Sequence, residues 1–175
     1  MIAAIVLAAG AATRFGAPKQ ELLLDEVLAR LAGSPVAEIV VVEGAYPLEP
    51  RVTDTQAVTL VRCSEWEGGP GASLRCGLAA LSDDVEAAVV VLADGPDLAP
   101  ASVARVVESW RDASGDLVAA SYNGERGHPL LLARSAWVDV PDEGLRSRDA
   151  RLVPCDDLGA PGDVDSREDL PERFR

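Results

Sequence analysis

The stretch Ile2-Ala-Ala-Ile-Val-Leu-Ala-Ala-Gly10, continuing as Ala11-Ala-Thr-Arg-Phe-Gly-Ala-Pro-Lys19, decides how the rest of the chain is read. Residues 2–8 are apolar without alternation, the pattern of a strand buried on both faces. Gly10, Gly16 and Pro18 punctuate the loop that follows. From residue 20 to 32, Leu24, Val27, Leu28 and Leu31 recur at helical spacing, and Gly33-Ser34-Pro35 stops the helix. A buried strand that runs through a small-residue loop into a helix is the opening unit of an α/β sheet.

The same grammar continues outward. Residues 37–43 and 57–63 are predicted strands, separated by a polar, proline-bearing connection. Residues 72–81 suit a helix with Leu74, Leu78 and Leu81 on one face. Residues 87–93 (AAVVVLA) form the clearest strand, halted by Asp94-Gly95-Pro96, and Pro100 opens a helix to about residue 112. Residues 116–122 and 129–133 are two further strands joined through Asn123-Gly-Glu-Arg-Gly127. The acidic, loop-rich segment after Val138 holds one more strand at 151–155. There is no internal repeat. The alternation predicts a single α/β domain over residues 1–175 with a mainly parallel sheet, and such sheets bind ligands beyond the carboxyl ends of their strands. Two polar loops meet that description: the glycine loop after the first strand, and Asp94.

Composition narrows the function. The chain of 175 residues carries 29 acids and 16 bases, a formal charge of −13. That disfavours a binder of nucleic-acid polymers or of anionic membranes. No apolar run approaches the roughly 20 residues of a membrane span, and the N-terminus lacks the basic region of a signal peptide. Cys63, Cys76 and Cys155 are widely spaced, odd in number and form no CxxC pair. They are expected to be reduced thiols in a cytoplasmic protein. Lys19 is the only lysine and His128 the only histidine, so a His-rich metal site is excluded.

The segment from Leu7 to Lys19 is neither GxGxxG nor a Walker A sequence. Its small residues still let backbone N–H groups approach a phosphate, with Arg14 and Lys19 adding positive charge. The plain alternative is a strand-to-helix turn with two solvated bases. Asp94 suits either a Mg²⁺ ligand or a capping residue. Ser73, at a predicted helix start after Gly68, Gly69 and Gly71, suits either an anion contact or an N-cap, and Arg75 a solvated helix position. Near the C-terminus, Ser166-Arg-Glu-Asp-Leu170 reads equally as a helix N-cap.

Leu7–Lys19 resembles the LAAGxxxRxGxPK signature of MobA-like nucleotidyltransferases, a family that includes molybdenum-cofactor cytidylyl- and guanylyltransferases. Further matches follow in the family's order. They are Ser73-Leu-Arg-Cys-Gly-Leu78, Leu92-Ala-Asp-Gly-Pro96, Arg126-Gly-His-Pro129, and Asp163-Val-Asp165 with Glu168-Asp-Leu170. Asp142-Glu-Gly-Leu-Arg146 is similar to a GDxGAR element facing the acceptor, with Pro141 in place of its first glycine.

The resemblance implies a Rossmann-like three-layer α/β/α sandwich of the nucleotide-diphospho-sugar transferase type. It implies that Leu7, Ala8, Ala9, Gly10, Ala11, Arg14, Lys19, Gly71, Ser73 and Arg75 bind nucleotide, with Arg14, Lys19 and Asp94 catalytic. Asp94 and Asp165 would hold Mg²⁺, Asp163 being the lesser choice, and Arg126, Gly127 and His128 would face the acceptor. The implied reaction is transfer of an NMP from an NTP, CTP before GTP, to a phosphorylated acceptor such as molybdopterin. A molybdoenzyme-maturation partner goes with that reading. Guanylyl transfer to a small acid such as 2-phospholactate is the other enzymatic reading. The chain lacks the family's Leu-Pro-Leu-x-Gly-x-Pro-Leu stretch after Lys19, where ELLLDEVLARLAG stands shortened, so a nucleotide-binding module without turnover is the third.

Overall fold

The computed structural model describes residues 1–11, 19–50 and 57–175, without the side chains of Lys19 and Gln20. Arg14 therefore lies outside the described residues, and of Lys19 only the backbone is placed.

The first strand, β1 (Ile2–Leu7), is an interior strand of a sheet that has seven strands among the described residues. Helix α1 (Lys19–Ala32) carries the chain to β2 (Glu38–Glu43), and β3 (Val58–Arg62) follows at the edge. Next come α2 (Pro70–Ala79), β4 (Ala87–Leu92), α3 (Pro100–Ala113), β5 (Leu117–Tyr122), β6 (Glu125–Ala133) and β7 (Arg151–Pro154). The spatial order is β3-β2-β1-β4-β6-β5-β7. All neighbours are parallel except β6, which runs antiparallel to both β4 and β5.

Alternate residues of β1 enter different cores, which is why its sequence shows no polar face. Ala4 and Val6 pack with Leu24, Val27 and Leu28 of α1 and with Val103 and Val106 of α3. Ala3 and Ile5 point the other way, to Leu74 and Leu78 of α2 and to Ala136, Val140 and Leu145. Helices on both faces make the expected three-layer α/β/α sandwich.

Three sequence expectations change. Helix α2 begins at Pro70, not at residue 72, because proline suits the first helical turn, where its missing N–H costs nothing. The segment 123–127 is not all loop. Asn123 (φ 53°) and Gly124 (φ 78°) make the two-residue turn of a hairpin, and β6 starts at Glu125, so Arg126, Gly127 and His128 sit on a strand. Finally, Cys63 and Cys76 are joined in a disulfide, against the expectation of reduced thiols. Only Cys155 is free, and it is buried. The pairing arises because the end of β3 and the face of α2 meet in the fold, which cysteine spacing alone does not show.

Candidate active site at the carboxyl ends of β1 and β4

Strand order reverses between β1 and β4, since β1 continues on one side to β2 and on the other to β4. A crevice opens at such a switch point, outside the carboxyl ends. The two polar loops singled out above both start there. Leu7 closes β1 and Leu92 closes β4, paired in register, and the N–H of Ala93 donates to the Leu7 carbonyl at 3.1 Å. Asp94 is therefore held beside the segment Ala8–Ala11.

That segment is fixed from its other side by β2. Ala8 N–H donates to Val42 at 3.0 Å, and Ala45 N–H donates to Ala9 at 3.1 Å. Gly44 lies between them, where a Cβ would come within 2.6 Å of the Trp66 ring and 2.8 Å of the Ala9 Cβ. Only glycine fits that seat. None of the motifs includes Gly44, although its position at the end of the predicted strand 37–43 was a usable signal. Ala8 and Ala9 are buried, whereas Gly10 is exposed and Ala11 partly so.

The C-terminal segment crosses the same crevice. Val164 N–H donates to the Asp94 carbonyl at 3.1 Å, and Asp97 N–H donates to Pro161 at 2.9 Å. Val164 is buried with Leu23 of α1 and Leu170, and Phe174 packs against them. The strap thus joins the first turns of α1 to the Asp94 loop, and it sets Asp165, which is half-buried, one residue from the Val164–Asp94 bond. Asp163 is exposed. Asp97 is engaged elsewhere, in an ion pair with Arg173 at 2.7 Å. Ser166 behaves as a cap: its N–H and hydroxyl both donate to the Asp169 carboxylate, at 2.7 and 2.8 Å.

His128 arrives from the antiparallel half. It shares with Gly95, Pro161 and Gly162 a cavity of about 30 Å³, room for a water molecule and not for a nucleoside. Desolvation lowers its pKa to about 4; the Asp94 charge opposes that shift, and Arg126 and Arg146 reinforce it. The imidazole is accordingly neutral at pH 7 and can both give and accept a hydrogen bond. Arg126 donates to the Arg148 carbonyl at 2.8 Å, and desolvation lowers its pKa too.

Residues of α2 are turned differently from the motif reading. Ser73 is buried in the first turn, its N–H bonded to Gly69 at 3.4 Å, so it is not an N-cap. Gly71 N–H donates to Asp142 at 2.9 Å, and a Cβ on Gly71 would overlap the Pro141 carbonyl. The close approach that the glycines announced is made to the chain's own loop. Arg75 donates to the Val140 carbonyl and to the Asp142 carboxylate, both at 2.6 Å. The structure thus brings together Leu7–Ala11, Asp94, Asp165 and His128, and sends Gly71 and Arg75 to the loop 140–142.

Among the described residues no group of three or more His, Cys, Asp or Glu side chains forms a metal centre. None of the described helices is long and apolar enough to cross a membrane.

Known proteins fit this picture. No curated protein matches the chain. A homologue of Mycobacterium tuberculosis Rv0371c from Mycobacterium sp. strain JC1 superposes with a TM-score of 0.77 at 24% identity, over 99% of this chain and 94% of that one. The structure of Rv0371c from Mycobacterium tuberculosis H37Rv in complex with manganese gives a TM-score of 0.70 at 25% identity, over 96% and 95%. CMP:2-keto-3-deoxy-manno-octonic acid synthetase complexed with CTP shares the fold, with a TM-score of 0.74 at 12% identity over 99% and 96%. The family model described as the MobA-like NTP transferase domain matches residues 4–153, and the chain belongs to that nucleotidyltransferase family.

Proposed function

We propose that the protein transfers a nucleoside monophosphate from an NTP to a phosphorylated small-molecule acceptor and releases pyrophosphate. One observation carries the reading: the bond from Ala93 to Leu7 sets Asp94 beside the Leu7–Ala11 loop at the switch point of the sheet, and the bond from Val164 to Asp94 brings Asp165 next to it. Backbone N–H groups of Ala9–Ala11, with Arg14 and Lys19, would bind the triphosphate. His128, neutral and backed by Arg126 and Gly127, would meet the acceptor. Gly71 and Arg75 would act indirectly, by fixing the loop 140–142.

Two carboxylates at the rim of a groove fit a hard divalent cation, which takes few protein oxygens and completes its shell with phosphate and water. Asp94 and Asp165 would hold Mg²⁺; when bound, it neutralises charge at the α-phosphate. The acceptor phosphate oxygen attacks the α-phosphorus in line as the bond to pyrophosphate breaks. No side-chain nucleophile is needed, because positioning and electrostatics supply the acceleration.

The charge of −13 does not oppose this. Charges beyond about 8 Å are largely screened at physiological salt. At ~4 Å and effective permittivity near 20, one contact pair is worth roughly 4 kcal/mol before desolvation. CTP and molybdopterin are our first choices of substrate, on the likeness of the LAAG and SLRxGL segments to the cytidylyl branch. GTP with 2-phospholactate is the second. The test is a matrix of four NTPs against phosphorylated acceptors with Mg²⁺ or Mn²⁺, read as pyrophosphate release. Nucleotide binding without release under any pairing would replace the transferase by a binding module.

A further inference from the structure

The disulfide has a different character from the rest of the site. Cys63 follows β3 directly, its N–H bonded to Glu43 at 2.8 Å, and is 1% exposed. Cys76 follows Arg75 on α2 and is only partly buried where it packs against the core. The two Cα atoms are 5.8 Å apart, within the ordinary span of a bridge, and 13 residues separate them in sequence. The Cys63 sulfur lies 3.6 Å from the Ala72 carbonyl. A reduced Cys63 thiol would therefore find an acceptor already in place, without moving the chain. Reduction would not release α2 altogether, because Arg75 and the Gly71 N–H still tie it to the loop 140–142.

We propose that Cys63–Cys76 is a reversible thiol–disulfide exchange site that tunes how firmly α2 is held against β3, with Cys76 as the sulfur that meets the reagent. An external thiolate attacks Cys76 Sγ, the S–S bond breaks, and Cys63 leaves as a thiolate that takes a proton from solvent and donates to Ala72. A second thiolate then attacks the reagent sulfur of the mixed disulfide and frees Cys76, so two reagent thiols become one reagent disulfide. A low-molecular-weight disulfide reverses both steps. The buried Cys155, whose pKa burial pushes up, stays a spectator. The proposal does not depend on which substrate the protein takes.

The test uses the full chain, with dithiothreitol as reductant and glutathione disulfide as oxidant. Alkylation of the denatured protein should count one free thiol after oxidation and three after native reduction, and glutathione disulfide should restore the first count. Limiting native reduction followed by alkylation should label Cys76 before Cys63. From the loop-closure effect of a bridge this long, the melting temperature should drop by roughly 6–12 °C on reduction. That shift should vanish in Cys76→Ser and in the Cys63→Ala/Cys76→Ala double variant. Three free thiols after oxidation would overturn the proposal. So would a bridge that dithiothreitol opens only in denaturant, first labelling at Cys63, or a redox-dependent melting shift that survives in the double variant.

Discussion

The two halves of the sheet hold their loops by different means. In the parallel half, β1 to β4, the loops that matter continue strand pairing for one or two residues past the strand ends. Ala8 bonds Val42, Ala93 bonds Leu7, and Ala45 bonds Ala9. In the half containing β5, β6 and β7, guanidinium groups catch backbone carbonyls across the irregular segments. Arg148 donates to Ala136, Val138 and Asp139; Arg151 to Ser109 and Ser114; Arg126 to Arg148; and Arg134 to Val85. A planar fork with five donors can serve several carbonyls at once, which an ammonium on a flexible stem does less well. The skew of the basic residues toward arginine thus has a structural use in this half. On the proposed function the parallel half would present backbone to a ligand, whereas the other half uses its guanidinium groups to hold its own carbonyls.

If that contrast is right, the largest effect on activity should come from a small change in the parallel half. Asp94→Asn leaves the contact from Val164 in place, since that bond is to the Asp94 carbonyl. It should lower metal-dependent pyrophosphate release by roughly two to three orders of magnitude while circular dichroism and melting stay near wild type. Retained turnover would remove Asp94 from the metal site. The mirror experiment is Arg148→Ala. It strips three carbonyls of their donor and should cost about 2–3 kcal/mol in urea unfolding. Arg148→Lys should recover less than half of that, because one ammonium cannot reach all three. Full recovery by lysine would break the comparison.

The same contrast explains what was legible in the sequence. The cores of β1, β2 and β4 are short apolar runs, and α1 and α3 carry helical periodicity, so their placement needed only local pattern. The site at the ends of β1 and β4 followed from two polar loops after two such runs. The other half was harder because its information is not local. Glu125-Arg-Gly-His is polar and reads as loop, and it becomes strand because Ser121 and Tyr122 of β5 pair with Arg126 and Glu125 across the hairpin. Arg148 reads as an acidic-tail residue until the carbonyls of 136–139 are folded round it. The Cys63–Cys76 bridge and the Gly71–Pro141 contact likewise depend on elements meeting across the fold. Arg75 shows the limit most sharply, since the same residue type that contacts phosphate also clamps carbonyls, and only its neighbours decide which.

His128 stands where the halves meet, and its titration offers a third test. Its folded pKa of about 4 lies below the ordinary value of 6.5, so the unfolded chain binds the proton more readily. Its contribution is complete above about pH 6.5, declines as pH falls toward 4, and is flat below. In the absence of divalent metal, wild type should lose about 3 kcal/mol more than His128→Asn across that window. Parallel pH profiles for the two proteins would show that the imidazole is solvated after all.

The smallest expected effect concerns the strap that bridges the halves. Arg173 donates to the Asp97 carboxylate at 2.7 Å and to the Pro96 carbonyl at 3.2 Å, and its guanidinium lies 4.9 Å from the Phe174 ring centroid. It is an arginine fork of the second kind, acting on the loop of the first. Both partners of the ion pair are more than two-fifths exposed, so Arg173→Ala should cost only about 0.5–1 kcal/mol of stability. Its reach is longer than that figure, because Pro96 and Asp97 follow Asp94 and because Phe174 packs on the cluster of Leu23, Val164 and Leu170 that fixes Asp165. Loosening this contact should therefore raise the metal concentration for half-maximal turnover a few-fold and leave the rate at saturating metal nearly unchanged. Arg62→Ala removes the contact of an exposed guanidinium with the mostly buried Glu43 at 3.8 Å, toward the far edge of the sheet, and it should change neither quantity. An equal metal response in the two variants would mean that the strap covers the crevice without setting its geometry.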